Sequence, residues 1–171
     1  MKVAIVGSRD LEYFDFGDIL PEGVTCIVSG GARGIDRCAA EYARANGLAL
    51  EEYKPDYRRY GKGAPLRRNR QIVDAADEVI ALCRAYSRGT MNVLDYAIGK
   101  KPITLYSFKE DRENSMIIRV DLEENITIDS MYEVSDEKQA EMWRKFQELM
   151  DLYNQCRKNQ LISRQDQEPD D

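Results

Sequence analysis

The feature that most constrains this chain is a pattern it repeats: a short, nearly continuous apolar run that ends in glycine or serine. Residues 2–7 lead into Gly7-Ser8-Arg9, residues 24–28 into Ser29-Gly30-Gly31-Ala32-Arg33-Gly34, and residues 79–83 towards Ser87-Arg88-Gly89-Thr90. Runs of this kind suit strands covered on both faces of a parallel sheet better than half-exposed hairpin strands. Residues 48–53 and 102–108 supply two more strands. Helical patterns lie between them at 35–46, 66–76 and 91–98. Gly47 closes the first, and Gly99 closes the last with Lys100, Lys101 and Pro102 beyond it. The alternation predicts an α/β chain with a Rossmann-like parallel sheet and helices on both faces.

Past Phe108 the character changes, which divides the chain into a nucleotide-binding type of domain at 1–108, an extension at 109–158 and a polar tail at 159–171. Residues 116–129 suit one or two extra strands. Ser135 offers an N-cap to a helix running to about residue 158. Along it Ala140, Trp143, Phe146, Leu149, Met150, Tyr153 and Cys156 recur at helical spacing, which predicts a long amphipathic helix. Its stripe needs a cover, either its own domain or a second copy of the chain, so a homo-oligomer through 136–158 is one expectation. The tail is expected to stay unfolded.

Several function classes fall away on composition. The chain has no histidine, and Cys26, Cys38, Cys83 and Cys156 form no CxxC pair, so the common zinc ligand sets cannot be assembled and no metal is expected. The expected compartment is the reducing cytoplasm. No apolar run approaches the length of a membrane span, so no membrane partner is expected. The net charge of −6 is unevenly spread. Residues 1–108 carry sixteen Lys/Arg against fourteen Asp/Glu, and residues 109–171 carry nine against seventeen. The acidic total argues against nucleic acid as a partner, although Arg58, Arg59, Lys62, Arg67, Arg68 and Arg70 make a local run that attracts anions.

Ligands of open α/β sheets bind beyond the carboxyl ends of the strands, and there this sequence concentrates its glycines and hydroxyls. Glycine lets the backbone approach a ligand closely, and a helix N-terminus offers free N–H groups to an anion. The candidate phosphate loops are therefore Gly7, Ser8 and Arg9; Ser29, Gly30, Gly31, Ala32, Arg33 and Gly34; and Ser87, Gly89 and Thr90. A branched side chain at Gly31 is expected to fill the cradle. Asp36, in the first turn of its helix, suits either a structural role there or recognition of a ligand hydroxyl. The loops read neither GxGxxG nor GxxxxGK[ST], which disfavours ordinary NAD chemistry and an ATPase P-loop. Glu51 or Glu52 lies where a ribose-binding acid would fall, but position alone is a weak signal. No cofactor is expected.

These segments carry a specific resemblance. Ser29-Gly30-Gly31-Ala32-Arg33-Gly34-Ile35-Asp36, then Arg68-Asn69-Arg70-x-Ile72, then Ser87-x-Gly89-Thr90 resemble the motifs of the SLOG superfamily, which joins Smf DNA-processing proteins and Lonely-guy phosphoribohydrolases. The opening Val-Gly-Ser-Arg and Tyr60-Gly61-Lys62-Gly63-Ala64 are similar to its small stand-alone YspA/YpsA-like branch. The likeness spans about residues 2–105. It implies a Rossmann-like fold gripping a nucleotide or nucleotide derivative, with Gly30, Gly31, Gly34, Gly89 and Thr90 around phosphate and Arg9, Arg33, Arg68 and Arg70 as clamps.

Three functions follow from that resemblance. The first is binding or sensing of a nucleoside monophosphate or ADP-ribose type of ligand. A second is cleavage of the N-glycosidic bond of nucleoside 5'-monophosphates, which needs a carboxylate at the bond. The hydrolases carry glutamate two or three residues past Gly-Thr, where this chain has Asn92 and Val93, so catalysis would fall to Asp36 or Asp95. The third is single-stranded DNA binding of the Smf type.

Overall fold

The computed structural model describes residues 1–84, 88–108, 115–123, 125–130, 135–137, 140, 141 and 144. Contacts divide the chain into Met1–Tyr132 and Glu133–Asp171. The first unit holds β1 (Lys2–Gly7), β2 (Cys26–Ser29), α1 (Ile35–Ala45), β3 (Ala49–Glu52), α2 (Tyr57–Tyr60), a 3-10 turn (Gly61–Gly63), α3 (Ala64–Ala75), β4 (Glu78–Cys83), α4 (Arg88–Ala97), β5 (Ile103–Ser107), β6 (Met116–Val120) and β7 (Ile126–Ser130). In the second, Asp136, Glu137, Ala140, Glu141 and Arg144 are helical. The rest of the expected long helix, with Trp143 and most of its stripe, and the 159–171 tail lie outside the described residues.

One seven-stranded sheet runs in the order β3-β2-β1-β4-β5-β6-β7. The first five strands are parallel. The last two are antiparallel, so the sheet is mixed rather than wholly parallel as the sequence led us to expect. Connection length explains the difference. A parallel return needs a crossover of a dozen or more residues, and the chain between Ser107 and Met116 is shorter than that. β6 and β7 then close as a hairpin. The Asp121 carboxylate accepts the N–H groups of Glu123 and Asn125 at 2.9 and 2.8 Å, holding the turn. The sheet thus continues beyond residue 108, and both extra strands fall within 116–130.

Side chains alternate across a strand, and the two helical layers follow from that. Val3, Ile5, Ile27, Ile80 and Leu82 pack with Ile35, Cys38, Ala39 and Ala43 of α1 in one core. Val6, one position out of phase, faces Ile72 of α3 and Val93 of α4 on the opposite side. Helices therefore cover both faces.

The β1–β2 connection contains no helix, and aromatic side chains do that work instead. Phe16 is fully buried, with its ring 5.1 Å from Phe14 and 5.6 Å from Tyr42, both edge-on. Phe14 in turn meets Phe108 at the end of β5. Offset and edge-on ring pairs add about 0.5–1.5 kcal/mol each beyond the area they bury. Phe16→Ala is therefore expected to cost about 3–5 kcal/mol, read as a lower urea midpoint with little change in slope. A loss under about 1 kcal/mol would show that this connection is not part of the core.

Candidate functional site

The carboxyl ends of β1, β2 and β4 converge where the loop after β2 meets α3 and the first turn of α4. A cavity of about 360 Å3 opens there. Val6, Ile72 and Val93 form its apolar part, and Gly7, Ala32, Gly89 and Thr90 bring backbone close to it. Arg9, Arg68, Asn69 and Asp36 supply charge and polarity. Val6 and Ile72 stand in the sequence motifs and Val93 beside one, but the sequence did not mark these three as cavity wall. Their signal was present in the outward phase of β1 and the inward faces of α3 and α4, but hydrophobic periodicity does not tell a core position from a cavity wall.

Arg68 and Asp36 form the polar centre. The Arg68 Nη1 donates to the Gly30 carbonyl at 2.6 Å, while its Nε is buried with no hydrogen-bond partner among the described residues. The Asp36 Oδ2 accepts the Ala32 N–H at 3.3 Å. Burial pushes the Asp36 carboxyl above the ordinary aspartate value, against the pull of the Ala32 and Gly30 N–H groups and of Arg68 and Arg9. On the neighbouring helix, Asn69 is buried and its Nδ2 donates to the Gly89 carbonyl at 3.2 Å and to Asn92 Oδ1 at 3.1 Å. That bridge ties the first turn of α4 to α3. Beneath it, the Thr90 hydroxyl touches Cys83, whose thiol burial pushes up to about 11, so it stays protonated at neutral pH and is no nucleophile.

The other expected site residues are placed differently. Ser8 is buried with its hydroxyl accepting the Arg84 N–H at 3.0 Å, and Ser29 donates to the Asp36 carbonyl at 3.3 Å, so both hydroxyls serve the fold. Arg33 is exposed and does not line the cavity. Arg70 lies over the Tyr96 ring on the outside of α3. Asp95 is exposed on α4, away from the cavity lining. Ser87 lies outside the described residues. Glu51 pairs with Lys2 at 2.6 Å, and neither it nor Glu52 reaches the cavity.

The glycines divide by what a Cβ would meet. At Gly7 it would press on the Leu82 carbonyl oxygen at 2.3 Å, and at Gly34, where φ is +78, on the Ser8 carbonyl oxygen at 2.4 Å; both keep neighbouring backbones in contact. Gly31 has φ +64 and faces the Glu52 carboxylate at 3.4 Å, not the cavity. The position that fills the site is Gly30, where a Cβ would fall 1.7 Å from Arg68 Nη1 and 2.8 Å from Asp36 Oδ2. The sequence reading had assigned that role to Gly31.

Residues 1–60 match the family model described as YAcAr: YspA, cpYpsA-related SLOG family. No curated protein and no solved structure matches the chain. The match covers β1, the loop after β2 and α1. The Arg68, Asn69 and α4 side of the cavity lies beyond it.

The raised Asp36 carboxyl sets a pH dependence. The folded protein holds its proton more tightly than the unfolded chain, so this group's contribution to stability is full below the ordinary value of 3.8 and is lost as pH rises through the folded value. Asn does not titrate. The stability of Asp36→Asn relative to the parent is therefore expected to improve as pH rises from about 3 towards 7, measured by urea denaturation across that range. A difference that stays flat, or that runs the other way, would contradict the placement of this carboxyl.

Proposed function

We propose, from a chain whose first 60 residues match the YspA, cpYpsA-related SLOG family model, that this cavity binds the phosphate end of a nucleotide-type ligand. The ligand class is a nucleoside monophosphate or an ADP-ribose-like molecule. The observation that carries the reading is the buried Arg68 Nε, which has no partner among the described residues, on a guanidinium already fixed by the Gly30 carbonyl. An unsatisfied buried donor costs about 1–3 kcal/mol, and an anionic oxygen in the cavity relieves that cost. The first turn of α4, held by Asn69, adds N–H groups and positive dipole on the same cavity. A volume of about 360 Å3 is at the small end of ligand sites, which suits one nucleotide moiety.

One observation favours a second reading. Asp36 is buried on the cavity lining, and its carboxyl holds its proton above the ordinary value. A carboxyl on the cavity lining is the kind of group that N-glycosidic cleavage calls for beside the departing base. Asp95, the other acid considered, does not line the cavity.

Calorimetry with adenosine 5'-monophosphate and ADP-ribose, followed by chromatography for free base, separates the two readings. Binding without release of base supports a sensor or carrier, and base release that stops in Asp36→Asn supports the hydrolase. Loss of the Arg68 guanidinium in Arg68→Gln is expected to raise Kd about ten- to a hundredfold. Gly30→Ala is expected to weaken binding at least about tenfold, with a thermal midpoint close to the parent's, because the clashing atoms end flexible side chains. No heat from either ligand at about 1 mM would overturn the proposal.

A further inference from the structure

Asp36 and Arg68 face the same point from either side of Gly30, where a Cβ would fall 2.8 Å from the carboxylate Oδ2 and 1.7 Å from the guanidinium Nη1. Both line the cavity, yet among the described residues they form no ion pair with each other. The guanidinium directs Nη1 to the Gly30 carbonyl and keeps Nε without a partner among the described residues. The carboxyl is held by the N–H groups of Ala32 and Gly30. The charged groups that face it are Arg68 from α3 and Arg9 from the loop after β1. The lining contributed by β1, by the loop after β2 and by α4 is otherwise uncharged. Asp36 is only 7% exposed, so little water screens its charge from a neighbour in the cavity.

We infer, on the reading of the cavity as a phosphate site, that an anionic ligand enters together with a proton from solvent, which Asp36 takes up, so that the ligand is held at low pH and released as pH rises. Three effects act in the same sense. A phosphate seated against Arg68 repels the carboxylate, it occupies the guanidinium whose field now favours that carboxylate, and its bulk expels water from the carboxyl. Once protonated, the carboxyl is an O–H donor, so a repulsive contact becomes a hydrogen bond to the ligand. Burial has already moved Asp36 above its ordinary value before any ligand arrives, which brings the uptake closer to neutral pH. The linkage has a definite form. Below the value of the free protein the carboxyl already holds its proton, and affinity does not depend on it. Between the free and the bound values affinity falls as pH rises, and above the bound value the ligand meets the carboxylate and is held weakly.

The test is calorimetry of the full chain with ADP-ribose, whose pyrophosphate has no proton to exchange near neutral pH. At each pH from about 5 to 8 the titration is repeated in buffers of different ionisation enthalpy, and the dependence of the heat on that enthalpy counts the protons taken up. Uptake is expected to approach about one proton per ligand within that range, with Kd rising by up to about tenfold per pH unit there. Asp36→Asn, a neutral stand-in for the protonated acid, is expected to take up none, to keep a level Kd, and to bind at about pH 8 at least about tenfold more tightly than the parent. Asp95→Asn, off the cavity lining, is expected to keep the parent's uptake. With adenosine 5'-monophosphate, whose own second ionisation lies near about 6, the difference between parent and Asp36→Asn reads the same quantity. Should Asp36→Asn fail to fold, the parent's proton count decides. Binding with no uptake across the range, or the parent's uptake persisting in Asp36→Asn, would overturn the inference and leave the cavity reading standing. No heat from either nucleotide would overturn both.

Discussion

Ser8 is the joint on which the site depends. Its N–H donates to the Leu82 carbonyl at 2.9 Å, its carbonyl accepts the Ile35 N–H at 3.2 Å, and its hydroxyl accepts the Arg84 N–H at 3.0 Å. One buried residue thus fastens the end of β1, the start of α1 and the end of β4. Each of those bonds is worth about 0.5–1.5 kcal/mol net, but a buried polar group left without its partner costs more. That asymmetry makes the arrangement all-or-none. Gly7 and Gly34 belong to the same joint, since a Cβ at either would separate backbones that these bonds hold together. The glycine-rich loops are therefore first a device for closing strand ends tightly, and the cavity is the space they leave.

The charges in that space follow a second constraint. A buried carboxylate is tolerated only when it is paired or hydrogen-bonded, and Asp36 has the Ala32 N–H and the fields of Arg68 and Arg9 in partial compensation. Its carboxyl remains above the ordinary value, so compensation falls short of burial. Arg68 keeps an unmet donor. An anion placed against Arg68 would relieve the arginine while raising the carboxyl further, so binding would draw a proton onto Asp36. A ligand that brings a hydroxyl beside its phosphate satisfies both groups at once, which sets a nucleotide apart from inorganic phosphate.

Much of this was legible in the sequence because the parallel strands are short apolar runs with glycine or serine at their ends. Such runs locate both the strands and the loops. The antiparallel pair β6 and β7 was legible as strand-forming sequence, yet its direction depends on connection length, and residue pattern alone does not carry that. The site was legible by position but not by role. Ser8, Ser29 and Gly34 read as ligand groups because hydroxyls and glycines at strand ends serve phosphate and backbone closure equally well, and Gly7 lines the cavity while also closing backbone. Only the neighbours of each atom separate the two uses. The wall role of Val6, Ile72 and Val93 was hidden for the converse reason: an apolar side chain looks the same in a wall and in a core.

The bridge from Asn69 bears on the charge that an anion in the cavity would meet. Two residues past Gly89-Thr90, Asn92 accepts the Asn69 amide. An amide acceptor at that place is neutral, so it holds α4 against α3 without adding negative charge next to a bound phosphate. A carboxylate there would accept the same hydrogen bond more strongly, but it would also repel an anion placed against Arg68 and the first turn of α4. A neutral pair there would favour retention of an anionic ligand, and Asp36 is the sole carboxyl on the cavity lining among the described residues. Under the hydrolase reading a proton transfer would run through that group, whose protonation is set by its burial and by the fields of Arg68 and Arg9.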